Sequence, residues 1–103
     1  MHHPPFDLHL HFIDRIGLED KEGFNQVIQN QKHSIRQLFF GHAHRPLSGN
    51  WRGISFSSLR GTNHQVKLDF KSQVITALDE PPEYSLVFIT EESVVVHSHS
   101  YPL

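Results

Sequence analysis

Only one stretch of this 103-residue chain, from about Asp20 to Gln31, has the spacing of a helix, and nearly everything after it is patterned for strands. Phe24, Val27 and Ile28 fall at i, i+3 and i+4 among polar neighbours, and Asp20 stands where an N-cap belongs. Ile35–Phe40, Trp51–Leu59, Gln65–Phe70, Val74–Leu78, Tyr84–Thr90 and Ser93–His99 read as five to six mostly antiparallel strands. His42–Asn50 reads as loop. So do residues 1–20, which open on the stiff pair Pro4-Pro5. Pro81-Pro82 forces a turn over Asp79–Glu83, because neither residue can donate to a ladder. A single helix cannot cover the faces of such a sheet. The expectation is therefore an α/β (α+β) unit spanning residues 1–103 that leaves a sheet face or edge open, as a fragment or an obligate homo-oligomer would.

Composition narrows the partners. The net charge is −2 with histidine neutral, and no block of Lys or Arg occurs. Binding to a nucleic-acid polymer or an anionic membrane requires clustered cations, so both are excluded as expected partners. No apolar run approaches the roughly 18 residues of a membrane span, and Met1-His2-His3-Pro4-Pro5 lacks the regions of a signal peptide. Cysteine is absent, which removes disulfides and thiolate chemistry together. A cytoplasmic location fits these features.

Ten of the residues are histidine, the side chain that most often ligates borderline metals. His42 and His44 lie in Gly41-His42-Ala43-His44, directly after the strand pattern Ile35–Phe40. A glycine there lets the chain turn sharply, and the loop at the C-terminal edge of a strand is where α/β proteins hold ligands. The alternative is a pair of solvated loop histidines. His2-His3 runs into Pro4-Pro5, which stiffens the backbone behind the imidazoles; the beginning of a purification tag is the competing explanation.

Taken together, Met1-His2-His3-Pro4-Pro5, a helix, a strand ending at Phe40 and Gly41-His42-Ala43-His44 resemble the last two motifs of the calcineurin-like metallophosphoesterases. Trp51-Arg52-Gly53-Ile54-Ser55-Phe56 and Gly61-Thr62-Asn63-His64-Gln65-Val66 are similar to the branch containing cyclic-nucleotide and glycerophosphodiester phosphodiesterases. The resemblance implies the C-terminal half of a four-layer α/β/β/α sandwich. It also implies that His2, His42 and His44 are metal ligands, with His2 and His42 sharing one ion and His44 on its neighbour. His3, Asn63, His64 and Arg45 would stand behind the ligands or face the substrate, and His9, His11 and Asp14 would flank its entrance. The parent enzyme would use two divalent metals (Mn, Fe or Zn) to polarise the phosphoryl oxygens of a phosphodiester and activate water.

The family's earlier motifs, Asp-x-His, Gly-Asp and Gly-Asn-His, do not precede His2, so no catalytic residue is assigned and the isolated chain is expected to be inactive. The alternative is a non-enzymatic module that binds metal through its histidines or serves dimerisation. His97 and His99 share one face of the last strand and read as a solvated edge.

Overall fold

The run that ends at Gly41 is held at its tip by the N-terminus rather than by a long strand partner. A computed structural model describes residues 1–102. In it the Met1 ammonium donates to the Phe39 carbonyl at 2.8 Å, and the Gly41 amide reaches the carbonyls of Met1 and His2 at 3.2 and 3.0 Å. The first residues thus lie alongside the end of β1 (Leu38–Phe39), and Pro4 and Pro5 are buried behind them.

The architecture is a small mixed α/β arrangement with few helices and several antiparallel strands. A single helical turn, α1 (His11–Asp14), comes first, inside the segment expected to be loop. It forms because Phe12 and Ile13, adjacent in sequence, are both buried at the core, while the Asp14 carboxylate accepts the Leu8 amide at 2.7 Å. The main helix α2 (Lys21–Gln29) falls where the periodicity placed it, and the Asp20 side chain caps it by accepting from the Gly23 amide at 2.9 Å. Its burial departs from the pattern in two respects: Val27 is left in solvent, and the polar Asn25 is buried with Ile28.

Among the described residues seven strands form instead of five to six. A turn at Arg52-Gly53 shortens the strand expected over Trp51–Leu59, and a further strand forms from Leu47 to Trp51, in the stretch His42–Asn50 expected to be loop. β2 (Leu47–Trp51) and β3 (Ile54–Ser58) are antiparallel, joined by Arg52 and Gly53, which both have positive φ (50° and 86°). That is the backbone of a tight two-residue hairpin turn, and the Asn50 side chain steadies it by accepting the Gly53 amide. β1 pairs with β3 in parallel, giving a sheet ordered β1-β3-β2. The strand expected over Ile35–Phe40 is shortened to two residues by a 3-10 turn at Lys32–Ser34 and an extended connection. β4 (Gln65–Val66) pairs with β5 (Ala77–Leu78), and both are shorter than their sequence patterns because the Asp69 side chain closes a turn onto the amides of Lys71 and Ser72. β6 (Glu83–Ile89) and β7 (Val94–Ser100) form the expected C-terminal hairpin.

Two apolar groups hold the arrangement. Leu10, Phe12, Ile13, Ala43 and Val66 make one core. Phe6, stacked on Trp51 at 4.7 Å and flanked by Phe40 and Phe56, makes the other. By contrast, the C-terminal hairpin leaves Leu86, Phe88, Ile89 and Val95 in solvent. Among the described residues, no helix is long and apolar enough to cross a membrane.

Truncating Phe6 to Ala should therefore cost about 3–5 kcal/mol in urea unfolding. Truncating Phe88, which is 58% exposed, should stay within about 0.5 kcal/mol.

Candidate metal centre

The loop Gly41-His42-Ala43-His44 is shaped by the residue between its histidines. Ala43 is fully buried, and its amide turns back onto the Gly41 carbonyl at 2.8 Å. His42 and His44 on either side both lie in the left-handed region, with φ of 67° and 51°. Histidine visits that region more readily than most side chains, and strained backbone of this kind gathers at functional sites.

The two imidazoles go to different neighbours. His42 meets the N-terminal pair: its Nδ1 lies 3.0 Å from Nε2 of His2, and the rings of His2, His3 and His42 are mutually 4.7–4.8 Å apart. Each of the three offers a ring nitrogen, all within 4.8 Å of one another. Two nitrogens on one tetrahedral ion at 2.0–2.1 Å stand about 3.3 Å apart, so the His2–His42 separation is close to what such an ion requires. Three imidazole nitrogens are a donor set that suits a borderline divalent metal, and no carboxylate joins this group among the described residues.

His44 is held elsewhere. Its Nδ1 lies 2.8 Å from the His64 carbonyl, to which it can only donate, and the two rings stack at 4.3 Å. A cleft of about 420 Å³ is lined by both His42 and His44, with Phe39, Arg60, Thr62 and Tyr84 among its other walls.

Of the other expected site residues, His3 stands with His2 and His42, close enough to offer a nitrogen of its own. His64 packs on His44, and Asn63 is exposed on the same turn. Arg45 donates from Nη1 to the Val66 carbonyl at 3.2 Å. His9 is exposed at a positive φ, and Asp14 serves the α1 turn. Gln65 stands in the Gly61–Val66 block, but no role at the site was legible for it in the sequence. It is fully buried and bonded to the Gly61 peptide at both its N–H and its C=O. The only signal was a polar residue at the start of an apolar strand pattern, which ordinarily faces solvent.

No family model matches the chain. It is similar to a phosphodiesterase. Over 101 residues it is 41% identical to a probable cyclic nucleotide phosphodiesterase of Rhodopseudomonas palustris, a match that covers 97% of the chain and 36% of that relative. The chain thus spans about a third of the length of the curated relative it matches.

Burial, and then the positive charge that His2, His3 and His44 can carry, hold the His42 imidazole below the ordinary histidine value of 6.5, against a hydrogen bond at Ile16 that raises it. The unfolded chain then binds this proton more readily than the folded one. The group's contribution to stability is complete above the unfolded value and is lost as pH falls from there through the lower folded value. Titration of the metal-free chain by NMR should place His42 below the ordinary histidine value. His2→Ala should raise it only part of the way, since burial remains.

Proposed function

We propose that this chain is the C-terminal portion of a calcineurin-like metallophosphoesterase of the cyclic-nucleotide and glycerophosphodiester phosphodiesterase branch. In this reading its strands form half of a four-layer α/β/β/α sandwich. The observation that carries the proposal is the meeting of His2 and His42, forty residues apart, with ring nitrogens 3.0 Å from one another. The identity to a phosphodiesterase across almost the whole chain supports the reading independently.

His2 and His42 would hold one ion and His44 a second, the ions being Mn, Fe or Zn. When bound, such a pair supplies fixed positive charge to the phosphoryl oxygens in a reaction whose transition state is highly anionic. The chain's own residues do the placing. His3, packed edge-on against His2, stands beside the ion site as a further donor or as a contact for the phosphodiester. His64 stacks its ring on His44 with Asn63 on the same turn, and Arg45 ties the ligand loop to Val66. Imidazoles neutralise no charge, so carboxylates must complete the centre, and we place these in polypeptide beyond the 103 residues. The complete protein is read as a cytoplasmic homo-oligomer acting on a phosphodiester.

One observation favours a second reading: His2, His3 and His42 alone already form a three-nitrogen set, which suits a single ion in a non-enzymatic module.

The complete protein should hydrolyse bis(p-nitrophenyl) phosphate with added Mn. His42→Ala should lower kcat/KM by at least about 100-fold and reduce bound metal measured by elemental analysis. The isolated chain should show no turnover. Full activity and full metal content in His42→Ala would end the proposal, and a metal-binding but wholly inactive complete protein would favour the second reading.

A further inference from the structure

The turn Gly61–His64 is held shut by one buried amide, and that turn decides which nitrogen of His44 carries the proton. Gln65 is fully buried, with its Oε1 accepting the Gly61 amide at 2.8 Å. Its Nε2 donates to the Gly61 carbonyl at 2.8 Å and reaches the Pro81 carbonyl at 3.4 Å. The amide's orientation is fixed by these partners, since exchanging O and N would set an NH2 group against the Gly61 N–H.

With the Gly61 peptide pinned at both ends, the turn presents the His64 carbonyl to Nδ1 of His44. Gly61 leaves room for this approach: a Cβ there would collide with the His44 ring and with the His64 carbonyl. From the other side, the Val66 amide donates to the His44 carbonyl at 3.2 Å, and Arg45 holds the Val66 carbonyl. The His44 backbone is therefore fixed by the same segment that fixes its ring.

We propose that Gln65 is a positioning residue for His44: by closing the Gly61–His64 turn it selects the Nδ1–H form of the imidazole and leaves Nε2 free as an electron-pair donor. A neutral imidazole has one donor and one acceptor nitrogen, and the hydrogen bond at one nitrogen determines the role of the other. The carbonyl can only accept, so the proton belongs on Nδ1. Only the use of Nε2 for an ion rests on the proposed function; selection of the tautomer stands without it.

The test is nitrogen-15 NMR of the metal-free chain at about pH 8, where histidines are neutral. Wild-type His44 should be predominantly Nδ1–H. Gln65→Met, similar in size but unable to make these bonds, should shift His44 to a mixture with the Nε2–H form. Ile54→Val, which destabilises a buried position in β3, should leave the tautomer unchanged and so separates positioning from general loss of stability. If Gln65→Met does not fold, Gln65→Glu serves instead, because it keeps the acceptor for the Gly61 amide and loses the donor to the carbonyl.

In the complete protein, Gln65→Met should weaken zinc binding by about 10-fold or more. A wild-type His44 in the Nε2–H form, or an unchanged tautomer in a folded Gln65 variant, would overturn the inference. If the tautomer follows Gln65 but added zinc leaves the His44 signals of the complete protein unmoved, the positioning role holds and the metal assignment of His44 fails.

Discussion

Burial of the Ala43 methyl group among Leu10, Phe12, Ile13 and Val66 fixes the ligand loop, and much of the remaining geometry follows from it. Both flanking histidines occupy left-handed backbone, at a cost of about 1–2 kcal/mol for each residue with a side chain. Relaxing the loop would withdraw Ala43 from the core and break the bond between the Val66 amide and the His44 carbonyl. A small residue is needed at the centre, since the site has no exposure left to accommodate a larger one. The strain is local to the two residues whose rings make the candidate site.

From this peg the two sides of the site are built by different means. His2 reaches His42 because the first residues run beside the end of β1, joined to it by three backbone bonds, while Pro4 and Pro5 are buried below. Backbone pairing is a stiff way to position a side chain, and it places two segments distant in sequence in register. His44 depends instead on a turn whose closure is delegated to one buried glutamine. The first side would respond to changes in the β1 edge and the second to changes in the polar contacts of Gln65.

The sequence announced these pieces unevenly. Helix α2 and the last hairpin were legible because each has a long, consistent period and an evident boundary, Asp20 for the helix and Pro81-Pro82 for the hairpin. The β2–β3 turn was hidden because Arg52 occupies a positive-φ position where asparagine, aspartate or glycine would have marked it. Gln65 was hidden because a buried amide satisfied by backbone groups looks, in sequence, like any polar surface residue. The histidine blocks could be read as chemistry, but the division of their rings, His42 toward His2 and His3 and His44 toward His64, is set by the loop's backbone and by no spacing rule.

Two features that look unrelated share a cause under the proposed function. The His2–His3–His42 group contains no carboxylate among the described residues, which leaves a divalent charge largely uncompensated there. The C-terminal hairpin leaves Leu86, Phe88, Ile89 and Val95 in solvent, and exposed apolar surface on this scale marks a region meant to be covered. The first calls for more anionic ligands and the second for more packed chain or another copy. Since the chain spans 36% of the phosphodiesterase it resembles, additional polypeptide could answer both needs. A monomeric three-histidine module would explain the neutral donor set but would leave the exposed hairpin without a reason. A second copy of the chain would cover the hairpin but would bring no carboxylate to the three histidines, so additional polypeptide is the one answer that meets both needs.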